Sequence, residues 1–211
     1  LAPVNAADGS LAAVRVNAGA STQISAPLVG AGGIEKLDAG TLVLSGANTY
    51  TGGTKVSGGT LVGNTTSLQG NIVDNATLVF QQDADGRFNG VLSGTGTAIK
   101  QGNGSLLLTG NQPLSGNLAV NQGLLQVGNA ANPGTVLGAK VTVGGGGVLT
   151  GTGSVASLVN GGVVQPDPAA GLTVSGNFTN SPGGTLSVVV GNPASSGLTV
   201  GGTANLGGTL V

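Results

Sequence analysis

At 211 residues, with a net charge of −1 and neither His nor Cys, the chain lacks the electrostatic footprint for nucleic acid or an anionic membrane surface. It also lacks disulfides, thiolate metal sites and the parts of a Ser-His-Asp or Cys-His mechanism. Charged residues are only 6% and glycines number 43, which disfavours helix at about 1 kcal/mol per interior Gly relative to Ala. Aromatics are 2%, so the interior must be narrow and filled by stacked Val, Leu and Ala.

The chain opens at Leu1 without a basic segment leading into an apolar run, so no signal peptide is read and both ends are expected to be cuts in a longer polypeptide or the result of processing. Apolar runs such as Leu106-Leu107-Leu108 and Val188-Val189-Val190 are far short of the ~20 residues of a spanning helix. Internal repetition is the strongest signal. The stretch 28–61 superimposes on 92–125 without a gap, with 12 identities in 34 positions. These include Gly40/Gly104, Leu42/Leu106, Leu44/Leu108, Val56/Val120 and Gly59/Gly123; the one identity that is neither Gly nor aliphatic is Lys36/Lys100. A weaker third copy begins at Leu149-Thr150-Gly151.

A shorter period lies inside the long one. Thr-Leu-Val recurs at 41–43, 60–62 and 77–79, and again at 209–211. Alternating triplets such as Leu172-Thr173-Val174 and Leu198-Thr199-Val200 place two aliphatics on one strand face and Thr on the other. Gly52-Gly53, Gly58-Gly59, Gly161-Gly162, Asn192-Pro193 and Gly207-Gly208 punctuate them as corners. Strands this short, with like residues at like offsets, favour a solenoid over a sandwich or propeller. The predicted fold is all-β: a single-stranded right-handed parallel β-helix, with a 17–19-residue coil repeated 10 or 11 times, about 50 Å long at 4.8 Å per coil.

The segment Gly32–Gly63, GGIEKLDAGTLVLSGANTYTGGTKVSGGTLVG, resembles the passenger-associated repeat of bacterial autotransporters. Lys36, Gly40, Thr41, Leu42, Leu44, Gly46, Asn48, Tyr50, Gly53, Thr54, Val56, Gly59 and Leu61 fall on that pattern, while Asp38-Ala39 departs from it. The second copy has Gln112 and Leu114 where Asn and Tyr are usual. From Gly161-Gly162-Val163-Val164-Gln165-Pro166 through Gly176-Asn177-Phe178 and Gly183-Gly184-Thr185-Leu186, the chain is similar to the last coils of such passengers, with Pro166-Asp167-Pro168 departing at one corner.

The resemblance implies a stalk over 1–149 carrying repeats at 28–64 and 92–129, and autochaperone-like coils over 150–211 that fold first and template the rest. It further implies a secreted or cell-surface passenger of a Gram-negative bacterium (type V secretion). Its partners would be a C-terminal outer-membrane β-barrel in the same polypeptide and an N-terminal effector such as a serine protease. The alternative is a β-helical adhesin that contacts host or neighbouring cells, or itself, along its flank. Interior Leu172, Val174 and Leu186 are the residues expected to matter for the folding seed.

No catalytic, cofactor or metal residue is expected. No Ser sits in G-x-S-x-G, and no G-x-G-x-x-G, P-loop or calcium nonapeptide occurs. The carboxylates are Asp8, Glu35, Asp38, Asp74, Asp83, Asp85 and Asp167. Asp83-Ala84-Asp85-Gly86-Arg87 reads either as a calcium- or ligand-binding loop or, more simply, as a solvated excursion. Glu35-Lys36 reads as a surface ion pair or exposed strand face, and Tyr50 and Phe178 as edge or corner packing rather than ligand platforms. Aligned Thr-x-Thr for an ice-binding face occurs only at Thr95/Thr97 and Thr150/Thr152.

Overall fold

The structure, a computed structural model, describes residues 10–189 and 197–211; Asp8 and the Asn192-Pro193 corner lie outside them. Among the described residues every ordered element is a β-strand, and every pairing between strands is parallel. Three faces wrap a single interior. The first face carries Leu11–Arg15, Gly33–Leu37, Thr54–Val56, Ile72–Asp74 and Leu92–Ser93, and continues through the Gly94–Leu114 bridge to Leu172–Val174 and Leu198–Val200. The second face has ten rungs, from Ser21–Ile24 and Thr41–Leu44 to Phe178–Asn180 and Ala204–Leu206. The third becomes regular at Gly86–Phe88 and runs to Thr209–Leu210. Ten rungs at about 4.8 Å make a rod roughly 43 Å long.

The Thr-Leu-Val triplets stack as their spacing predicts. Thr41, Thr60, Thr77, Thr97 and Asn117 are successive register partners. The last triplet, Thr209-Leu210-Val211, belongs to the third face instead. The coil is longer than expected at most steps, as from Thr77 to Thr97 and on to Asn117, because corners accept extra residues. One long step carries Gln112 to Leu137. Its surplus goes into the Asn129–Thr135 turn, closed by Asn132 N to Asn129 O at 2.8 Å and by Thr135 Oγ1 to Asn132 O at 3.0 Å.

Inside, Leu42, Leu61, Leu78, Ala98, Leu118, Val141, Leu158 and Phe178 form one unbroken buried column. Burying each large member removes it from water for roughly 1.5–3 kcal/mol. Because strand side chains alternate, the neighbours on either side point outward: Val43, Val62, Val79 and Ile99 stack beside the Thr ladder. Phe178 is therefore a column member rather than a corner residue. Tyr50 is a corner residue, buried, with its hydroxyl 2.7 Å from Thr54 Oγ1 and accepting from Gln69 N at 3.3 Å.

The long repeat does not stack copy on copy. Gly33–Leu37 lies on the first face, but its sequence equivalent Thr97–Gln101 lies on the second. Likewise Thr41–Leu44 lies on the second face and Ser105–Leu108 on the third. The second copy is rotated by one face, since the repeat spans three coils plus one strand and corner. Within each copy the first strand still stacks under the third (Ile34 on Thr54, Ala98 on Leu118) and the second under the fourth (Leu42 on Leu61, Leu106 on Leu125). The repeat is thus a local unit that carries its own corners.

Candidate functional site

The recurring chemistry of the rod lies at its interior corners. Lys36 is the penultimate residue of the strand Gly33–Leu37, its side chain points inward, and the residue is fully buried. Its ammonium donates to Leu37 O at 2.7 Å, Asp38 O at 2.8 Å and Gly58 O at 3.1 Å. Lys100 repeats this one face further round, donating to Gln101 O at 2.9 Å, Gly102 O at 2.7 Å and Gln122 O at 3.1 Å, with Gln82 O at 3.5 Å. The acceptors stand one, two and 22 residues after the lysine in both copies. Three N–H donors meet three carbonyls gathered at the corner, of which Leu37 O also accepts from Val16 N at 3.4 Å and Gln101 O from Gln82 N at 2.9 Å. Burial pushes both lysine pKa values down, opposed by the charge of Asp38 at Lys36 and of Asp83 at Lys100.

The corner geometry has a backbone requirement. The residue two past each lysine is left-handed, Asp38 at φ 61° and Gly102 at φ 79°. Asp38 is the departure from the family pattern noted above, and it occupies a conformation that glycine adopts without strain. Its carboxylate also meets Arg15 Nη1 at 3.0 Å on the surface.

A second device is the buried amide. Asn48 Oδ1 accepts from Leu28 N at 2.8 Å while its Nδ2 donates to Ser67 O at 2.6 Å, bridging three coils where the third face has no strands. Gln112 does the first half of this job in the second copy, accepting from Leu92 N at 2.6 Å. The Asn-to-Gln departure therefore preserves the contact. Toward the C-terminus Asn160 and Asn180 are register partners, joined by Asn160 Nδ2 to Asn180 Oδ1 at 2.8 Å; Asn160 also reaches Thr185 O at 3.0 Å, and Asn180 Nδ2 reaches Gly184 O at 3.2 Å.

The pairing of Glu35 with Lys36 is corrected by this geometry. Glu35 does form a surface ion pair, but with Lys55 at 2.9 Å on the next coil, and Ser57 Oγ donates to it at 2.7 Å. Adjacent strand residues face opposite ways, so Glu35 and Lys36 cannot meet. The identity Lys36/Lys100, standing among glycines and aliphatics, is the signal in the sequence that these lysines belong to the interior.

The acidic loop is occupied by structural contacts. Asp83 Oδ1 accepts from Gln81 Nε2 at 3.1 Å, and Asp85 Oδ1 accepts from Ser105 N at 2.9 Å, which lowers the Asp85 pKa. Arg87 Nη2 donates to Thr109 Oγ1 at 3.2 Å. Among the described residues no group of three acidic, His or Cys side chains is placed to hold a metal ion. Surface hollows are shallow, among them one of about 270 Å³ along Pro133–Val136 and Thr152–Ser154. Asp74 is buried with Oδ2 unpaired, and burial raises its pKa to about 6 despite the hydrogen bond from Ala76 N.

Comparison with known proteins follows the same units. Residues 34–62 and 99–127 match the family described as passenger-associated-transport-repeat, each match beginning within the lysine-bearing strand and ending on the fourth strand. Over 214 aligned residues the chain is 34% identical to the adhesin BmaC autotransporter of Brucella suis biovar 1 (strain 1330), an alignment covering 85% of this chain. This is a segment of autotransporter passenger domain. The passenger segment spans about 6% of that relative's length. No solved structure matches it.

The two matched stretches coincide with the rotated units, so in this passenger the repeat records interior corners rather than a surface. The side chains facing out differ between copies: Glu35 and Lys55 in the first, Ile99 and Ala119 at the equivalent positions of the second.

Proposed function

We propose that this segment is a non-catalytic β-helical stalk of a longer passenger, exported across the outer membrane of a Gram-negative bacterium through a C-terminal β-barrel of the same polypeptide. Its coils from about 150 to 211 promote folding and export, and the stalk displays an N-terminal effector such as a serine protease. The observation that carries the stalk reading is where the polar chemistry goes: the buried Lys36, Lys100, Asn48, Gln112, Asn160 and Asn180 all bond to corners or to adjacent coils. The faces run without a break across Leu149-Thr150, within the strand Val136–Gly151, so the division there is one of role rather than of architecture.

The test uses bacteria displaying the full-length protein. Asp in place of Leu172, Val174 or Leu186, all buried, is expected to abolish surface display and protease resistance of the whole rod. Ile24→Asp, at the other end of the same interior, is expected to loosen only the first coils. Equal loss from both ends would overturn the folding-seed role.

A second reading, adhesion along the flank, is favoured by the second face. There Ser21/Gln23, Thr41/Val43, Thr60/Val62, Thr77/Val79, Thr97/Ile99 and Asn117/Ala119 make six rungs of outward side chains without a charge, Val79 being covered by its neighbours. The relative's description as an adhesin supports it. Val62→Lys with Ile99→Lys is expected to abolish cell binding while leaving display intact if this reading holds; unchanged binding would return the face to a structural role.

A further inference from the structure

The interior hydrogen bonds between coils have a direction. Lys36 donates to Gly58 O and Lys100 to Gln122 O, each on the coil that follows in sequence. Asn48 Nδ2 donates forward to Ser67 O, Asn160 Nδ2 to Asn180 Oδ1 and Thr185 O, and Asn180 Nδ2 to Thr209 O at 3.4 Å. The backbone donors Leu28 N and Leu92 N also point forward, to the amide oxygens of Asn48 and Gln112. Against these stand a few contacts in the reverse sense: Lys100 to Gln82 O at 3.5 Å, Gln112 Nε2 to Gly90 O at 3.3 Å, Gln82 Nε2 to Thr65 Oγ1 at 3.1 Å, and Gln69 N to the Tyr50 hydroxyl at 3.3 Å.

The two sides of such a bond are not equivalent when one coil is missing. A carbonyl at the open end of a finished coil is solvated by water until a donor arrives. A lysine whose following coil is absent keeps the two carbonyls of its own corner and takes water in place of the third, so that corner gains its last charge-assisted hydrogen bond only when the C-terminal neighbour is in place. The following coil offers a neutral carbonyl, so the charged member of the bond always sits on the N-terminal coil.

We propose that Lys36 and Lys100 are directional latches: each lets its own coil close only on a C-terminal neighbour that is already built, so coils are added toward the N-terminus. This rests on the C-terminal-first reading above and names side chains that would enforce it. The ammonium is the moving part, and the acceptor shelf is the carbonyl of the following coil, Gly58 O or Gln122 O.

The test is hydrogen exchange on the 211-residue chain, by pulse labelling during refolding and at equilibrium in the native state. In Lys100→Met, the rungs from Asn117 to Leu206 are expected to gain protection at the wild-type rate, and those from Ser21 to Gln101 at least tenfold more slowly. Lys36→Met is expected to slow only the coils up to Leu44, and this variant decides the matter if Lys100→Met does not fold. Uniform slowing, or slowing confined to the C-terminal side, overturns the latch. If wild-type N-terminal coils become protected first, the C-terminal-first reading fails on its own. The native-state experiment then still judges the latch, which requires Lys36→Met to raise opening at least tenfold in Leu11–Leu44 and to leave Ile72–Leu210 unchanged.

Discussion

Lys36 and Lys100 hold the same corner on different faces of one rod. Each donates to the carbonyls one, two and 22 residues ahead, although the first lies between the first and second faces and the second between the second and third. Replacing either by Met keeps most of the volume but removes the ammonium that three carbonyls share, leaving Leu37 O and Gln101 O only their bonds from Val16 N and Gln82 N. A loss on the order of 2–4 kcal/mol is expected for each, from charged hydrogen bonds forgone and carbonyls left unpaired. Urea unfolding of the two variants checks it, and two losses of similar size are expected because the corners are the same.

Gly123 closes the corner beneath Lys100. It is left-handed at φ 69°, and a Cβ there would run into Gly102 O and lie 2.9 Å from Lys100 Nζ. Gly123→Ala is expected to destabilise by about 2 kcal/mol or more, from left-handed strain and displaced backbone together. Gly134→Ala, where a Cβ meets nothing, should be close to neutral in the same thermal melt.

Asp38 offers the opposite sign. A glycine there relieves the left-handed backbone at about 1 kcal/mol, and the exposed ion pair to Arg15 that it loses is worth less than about 1 kcal/mol. The expected order of melting temperatures is Asp38→Gly at or above wild type, with Asp38→Ala below both.

Asp74 sets a pH dependence. Its folded pKa, about 6, lies above the ordinary value of 3.8, so between these pH values the folded chain binds the extra proton. Stability is therefore greatest below pH 3.8 as far as this group is concerned, and it falls as pH rises toward and through 6, by on the order of 1–3 kcal/mol. Denaturant midpoints from pH 4 to 7 should show the decline in wild type, and Asp74→Asn should flatten it.

The columns are legible in the sequence because Thr-Leu-Val carries both a strand alternation and a stacking period, and 41, 60 and 77 do stack. The rotation of the second repeat is not legible. The long period fixes which residues recur but not how long each coil is, and corners such as Asn129–Thr135 lengthen single coils without disturbing the column. Lys36 reads as exposed in the sequence because a charged pair beside an aliphatic run usually faces water. Only the carbonyls gathered by a glycine corner make an interior ammonium tolerable, and that gathering is a property of the fold. Asn48 and Gln112 read as a departure between copies, yet one extra methylene still brings the amide to the same kind of N–H, at Leu28 and Leu92.

The in-register parallel stack is the central feature of the rod, and the absence of cysteine makes it directly measurable. Nitroxide labels on Thr77→Cys and Thr97→Cys, outward partners on adjacent rungs of the second face, should lie about 5 Å apart at the backbone and show strong spin exchange. Labels on Thr77→Cys and Ser105→Cys, which the structure puts on different faces, should show none. Independent, unbroadened spectra from the Thr77/Thr97 pair in the folded chain would contradict the β-helix.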